Sequence, residues 1–143
     1  MRLTALALSA AFLAPLAAAA ADYKSVPPVT DPVVNKECGE CHMIFQPGFL
    51  PAASWRKIMA TLADHFGEDA SLDAGTRDKV ASYMITNAGN QRVDPDNPPL
   101  QITNRFWFRG EHSDIRRMAR RRKAKTMVDC VACHRNAERG DFD

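Results

Sequence analysis

The sequence has little apolar content outside its first residues, and no long hydrophobic run follows them. The chain of 143 residues is 45% hydrophobic, but residues 22–143 are only about 39% apolar, below the usual 45–50%. No stretch after residue 21 approaches the roughly 18 apolar residues of a membrane span. The net charge of +2 is too small to indicate nucleic-acid binding. This thin apolar content suggests that something other than side chains fills part of the interior.

The first 21 residues predict an export signal. Arg2 precedes the apolar run Leu3–Leu16, and the small residues Ala17–Ala21 offer a cleavage site after Ala20 or Ala21. The apolar run is too short to cross a bilayer. We therefore expect a periplasmic protein that does not span the membrane after residues 1–21 are removed.

Two helices are predicted from capping residues and apolar spacing. Ser54 is a good N-cap for a helix from Trp55 to Phe66, which would carry His65 on its apolar face. Asp73 is a good N-cap for a second helix that ends near residue 88. Further predicted elements are an extended lead-in over 22–34, a helix Asn35–Met43, a loop Gln46–Pro51 and a short helix around Val128–Arg135.

No segment alternates apolar and polar residues over any length, so the predicted fold class is all-α. A proline-rich linker over 91–99 divides the chain after the signal. We expect two small helical lobes, residues 35–90 and 100–143.

Each predicted lobe contains one Cys-x-x-Cys-His motif: Cys38, Cys41 and His42 in the first, and Cys130, Cys133 and His134 in the second. This is the attachment signature of c-type haem. Two thiols one helical turn apart can bind the two vinyl groups of a porphyrin, and the next residue places an imidazole beneath the iron. Two covalently attached haem c groups are therefore predicted, one per lobe.

Three other interpretations of the four cysteines are weaker. A thioredoxin-like redox pair lacks the strands of that fold and leaves the histidines unexplained. A zinc site would have to join two pairs that are far apart in the sequence. Two disulfides are possible in an exported chain, but they do not explain the spacing.

Four histidines are present, and the motifs use two of them. His65 and His112 then remain, one in each lobe, as candidates for the distal iron ligands, in the pairs His42 with His65 and His134 with His112. The alternative for His65 is a buried core histidine that binds no iron. The alternative for His112 is an exposed loop histidine. Methionines are the rival distal ligands, but the helical spacing of Met59 and Met84 already explains them as packing residues.

The only charge block is the basic run Arg116–Lys125. It can be a solvated face that pairs with haem propionates, or a docking surface for an acidic redox partner.

The chain resembles the small periplasmic dihaem cytochrome c family in four segments: CGECHMIFQPGFLPAASW, LADHFGEDASLD, FRGEHSDI and CVACHRNAERGDF. The second and third segments match where that family places its non-proximal histidines, although Gly110 departs from the family's pattern. The resemblance implies two bis-histidine haems. It also implies electron transfer from a membrane cytochrome b to a small monohaem, oxygen-binding cytochrome c.

We therefore expect a periplasmic electron-transfer protein with two low-potential haems and a first lobe similar to cytochrome c. Bis-histidine ligation leaves no open iron position, so no enzymatic activity is expected. The alternative is a small haem peroxidase or gas-binding cytochrome, in which either His65 or His112 is not bound to iron.

Overall fold

A computed structural model describes residues 23–143, apart from the side chains of residues 119, 121 and 122; the predicted signal, residues 1–21, lies outside this range. The described chain contains helices and isolated β-bridges but no strand, so the all-α prediction is confirmed. The α-helices are α1 (Pro32–Cys38), α2 (Ala52–Ala60), α3 (Ala74–Thr86), α4 (Phe106–Glu111) and α5 (Ile115–Arg122). The 3₁₀ helices are Pro47–Phe49, Leu62–Asp64, Ile102–Asn104, Cys130–Ala132 and Ala137–Arg139.

Helix α1 begins earlier than the sequence predicted. The Asp31 carboxylate accepts hydrogen bonds from the backbone N–H groups of Val33 (2.8 Å) and Val34 (3.1 Å). Pro32 occupies the first helical turn, where its missing N–H costs nothing. The prediction of an extended lead-in to residue 34 is therefore wrong, and Cys38 is the last residue of this helix.

Helix α2 is shorter than predicted and starts earlier. It begins at Ala52, so Ser54 lies buried inside the helix rather than at its N-cap. It ends at Ala60, because Thr61 leaves the helical conformation and its hydroxyl donates to the carbonyl of Lys57 (3.0 Å). The prediction that the helix continues to residue 66 is wrong, and His65 lies in a loop.

Helix α3 has the predicted N-cap. The Asp73 carboxylate accepts from the Thr76 N–H at 3.1 Å, and Val80 and Met84 are buried. The short helix predicted around 128–135 is instead the single 3₁₀ turn Cys130–Ala132.

One buried apolar cluster joins both halves of the chain. It contains Val34, Trp55 and Val80 from the first half and Ile102 and Phe108 from the second. The segment 91–99 contains no helix, and the division into two lobes stays a prediction. Within residues 23–143, no helix is long and apolar enough to cross a membrane.

The two ends of the described chain pair with each other. The Val26 N–H donates to the Gly140 carbonyl, and the Phe142 N–H donates to the Lys24 carbonyl, each at 2.8 Å. This antiparallel contact brings Tyr23 and Phe142 into the apolar cluster.

Two candidate cofactor sites

The first Cys-x-x-Cys-His motif lies where α1 ends and the following turn begins. Cys38 is half-buried, and Cys41 and His42 are exposed. Burial raises the pKa of the Cys38 thiol, and the negative charge of Glu37 adds to the shift. The motif therefore presents a neutral thiol, a second accessible thiol and an imidazole within one turn of chain.

His65 faces His42 across this site. The two ring centroids are 6.4 Å apart, with the planes inclined by 20°. The His65 backbone is held by two hydrogen bonds with Glu68, and Phe66 in between adopts a positive φ of 58°. Burial lowers the pKa of the His65 imidazole, and the nearby His42 lowers it further. The loop thus directs a neutral imidazole at the first motif.

His42 has one ring nitrogen engaged by the backbone. Its Nδ1 lies 2.6 Å from the Met43 carbonyl oxygen, which requires Nδ1 to carry the proton. The Nε2 atom then keeps its lone pair, the arrangement that metal-bound histidines use. Next to this imidazole a cavity of about 260 Å³ is bounded by Gly39, Asn35 and Glu138.

The second motif lies on a tight turn near the end of the chain. Backbone N–H groups of Cys133 and His134 both donate to the Cys130 carbonyl, at 3.1 and 2.8 Å. Burial raises the pKa of the Cys130 thiol to about 11. Cys133 is exposed.

His112 lies opposite His134, with ring centroids 6.0 Å apart and planes inclined by 71°. The imidazole of His112 stacks on Phe108 (4.1 Å) and its Nδ1 lies 2.9 Å from the Phe108 carbonyl oxygen, so its Nε2 is available as a ligand. Burial lowers the pKa of the His134 imidazole, and the nearby His112 lowers it further. The second site therefore repeats the first in its donors, although its two rings are differently inclined.

A cavity of about 560 Å³ contains the four candidate residues of the second site. Most of its wall is apolar, and aromatic rings from both chain ends contribute to it. The buried indole Nε1–H of Trp107 on this wall has no hydrogen-bond partner among the described residues. The cavity therefore offers apolar surface for a large planar ligand.

The spacing of both histidine pairs fits a metal ion between two imidazoles. Two metal–imidazole bonds of about 2.0–2.1 Å and ring radii of roughly 1.1 Å place the ring centroids about 6.3 Å apart. The measured separations are 6.4 and 6.0 Å. All four cysteines are free thiols. Residues 23–143 contain no cluster of three or more His, Cys, Asp or Glu side chains of the kind that binds zinc.

Several residues at the sites carried no signal in the sequence. Tyr23 and Phe142 reach the second cavity only because the chain ends pair. Phe45 stacks on His42 (5.0 Å) and also lines the second cavity, so one ring contacts both sites. Met118 and Met127 line this cavity as well, whereas Met59 and Met84 are core residues, as their helical spacing suggested.

The chain is similar to a family of known proteins. The model of the family described as "Dihaem cytochrome c" matches residues 34–142. No curated protein matches the sequence.

Three solved structures resemble the chain closely. The crystal structure of a protein of this type purified from Rhodobacter sphaeroides is 44% identical, with a TM-score of 0.71, over 80% of this chain and 99% of that one. A dihaem cytochrome c from the same organism is 41% identical, with a TM-score of 0.74, over 82% and 100%. A dihaem c-type cytochrome from Shewanella baltica is 35% identical, with a TM-score of 0.67, over 78% and 86%.

Proposed function

The chain belongs to the dihaem cytochrome c family, and we propose that it transfers electrons in the periplasm through two bis-histidine haems. Family membership makes it a dihaem c-type cytochrome with two covalently bound haem c groups, and electron transfer is its general role. When bound, each haem supplies an iron that gains and loses one electron. The single observation that carries the finer proposal is that a second imidazole faces the histidine of each motif.

The four histidines hold the two irons in pairs. His42 and His65 bind the first, and His134 and His112 bind the second. The centroid separations of 6.4 and 6.0 Å support this assignment. The backbone carbonyls of Met43 and Phe108 fix the protonated Nδ1 atoms of His42 and His112, so that Nε2 faces the metal.

The four cysteines attach the porphyrins. Each thiol adds across a vinyl group, so that its sulfur bonds to one carbon, its hydrogen goes to the other and nothing is released. Cys38 and Cys41 anchor the first haem, and Cys130 and Cys133 the second. The motif spacing and the free state of all four thiols support this role.

Bis-histidine ligation sets the properties of the protein. Both irons are six-coordinate and low-spin, and their potentials are lower than that of a histidine–methionine haem. Neither iron has an open position for peroxide or a gas, so the protein acts as an electron carrier and not as an enzyme.

The partners follow from the family resemblance. A membrane cytochrome b donates electrons, and a small monohaem, oxygen-binding cytochrome c accepts them. The predicted export signal supports a periplasmic location. No nucleic acid is involved.

Carbon monoxide tests the ligation directly. We expect the fully reduced holoprotein to show low-spin spectra for both haems and no change in its Soret band when carbon monoxide is added. A large shift equivalent to one haem would contradict bis-histidine ligation there. It would favour the alternative, a peroxidase or gas-binding cytochrome with one five-coordinate iron.

A further inference from the structure

Helix α5 and the three residues that follow it carry a dense block of positive charge. Residues 115–125 include seven basic residues and no acidic one. We define the basic surface as the exposed side chains of Arg116, Arg117, Arg120, Lys123 and Lys125. Arg117 pairs with Asp114 at 3.1 Å, but both side chains are at least 60% exposed, so this pair leaves most of the positive charge uncompensated.

The same helix forms part of the wall of the second haem site. Ile115 and Met118 line the cavity that contains His112 and His134. The residues on either side of Lys125 also line this cavity, so the basic surface lies directly beside it. A protein that docks on this surface would have its own redox centre close to the second haem.

The first site lies in surroundings of the opposite charge. The loop that carries His65 contains four exposed acidic residues, and residues 62–76 contain no lysine or arginine. These acidic residues are Asp64, Glu68, Asp69 and Asp73. A negatively charged protein is repelled from this loop and attracted to α5.

We propose that an acidic redox protein docks on the basic surface of α5 and exchanges electrons with the protein at the second haem. The proposal rests on the proposed function, because it needs a redox-active haem behind α5. Complementary charge steers such an encounter and raises its rate by about 10–10³-fold at low ionic strength. The acidic loop around His65 directs the same partner away from the first haem.

An anionic lipid surface is the other ligand that a basic helix can bind. Helix α5 has only eight residues, and its apolar residues Ile115 and Met118 face the haem cavity. Although Met118 is 41% exposed, one or two apolar side chains on so short a helix bury little area in a bilayer, which favours a protein partner.

The experiment uses an acidic plant-type [2Fe–2S] ferredoxin, whose potential is about −400 mV, to reduce the ferric holoprotein in a stopped-flow instrument. The test variant is Arg116→Gln, Arg120→Gln and Lys123→Gln together. The matched control is Arg56→Gln, Lys57→Gln and Arg92→Gln together. It removes three positive charges, the same number as the test variant, but from exposed residues that line neither cavity. Haem content, spectrum and full reduction by dithionite are recorded for each sample.

We expect the second-order rate constant of the wild type to fall as ionic strength rises. At low ionic strength the rate constant of the α5 variant should be about tenfold lower than that of the wild type. The rate constant of the control should stay within about twofold of the wild-type value. Equal losses in the two variants, or none in the α5 variant, would overturn the proposal. A lipid-binding result would also overturn it. In that case the wild type, but not the α5 variant, would pellet with phosphatidylglycerol vesicles, and ferredoxin would reduce both proteins at equal rates. Normal haem content and reduction in any of these cases would leave the proposed function intact.

Discussion

The imidazoles of His42 and His65 lie nearly parallel, 6.4 Å apart. His42 belongs to the first Cys-x-x-Cys-His motif, whereas His65 lies in a loop after α2 and is held there by backbone hydrogen bonds with Glu68. Two unrelated local structures thus present one imidazole each to the same space. The first haem assignment depends on this relationship.

Replacing His65 with alanine tests that assignment. The variant His65→Ala should lose one axial ligand, so we expect about half of the haem to become high-spin and to bind carbon monoxide after reduction. The matched variant His112→Ala should produce the same change at the other haem. Optical and electron paramagnetic resonance spectra measure both. Two unchanged low-spin haems in His65→Ala would refute the pairing.

Replacing the cysteines of one motif tests the attachment. The intact mass of the protein after periplasmic expression with haem maturation should exceed that of the polypeptide by two haems. Cys130→Ser with Cys133→Ser should lower this excess to one haem, because the second porphyrin loses both thioethers. Cys38→Ser with Cys41→Ser is the matched control for the first site. An unmodified wild-type mass would contradict both attachments.

Gly140→Ala tests the pairing of the chain ends. Gly140 has a φ of 78°, and an added Cβ would overlap the Val26 carbonyl oxygen. We expect a loss of about 2 kcal/mol or more in the free energy of unfolding of the holoprotein, measured by chemical denaturation. Gly110→Ala is the control, because nothing lies within 4 Å of its added Cβ in α4. It should be neutral or stabilising by about 0.5–1 kcal/mol, and equal effects of the two substitutions would contradict this account.

The number of haems and the helical class could be predicted from the sequence. Each attachment motif needs only one turn of chain, and the Asp73 cap depends on a neighbour three residues away. Interactions of this range follow from local chemistry alone. The same reasoning failed where two local signals competed, as at Pro32, which starts α1 rather than preceding it, and at Thr61, which ends α2 early.

By itself, the sequence determined that two haems are attached and which histidines were available to them. Only the tertiary structure decided which imidazoles face each other and how the second cavity is closed. His65 reaches His42 through a loop, and Tyr23 and Phe142 line the same cavity only because the chain ends pair. Such contacts join residues that are distant in sequence, so they depend on how the whole chain packs and not on any local preference.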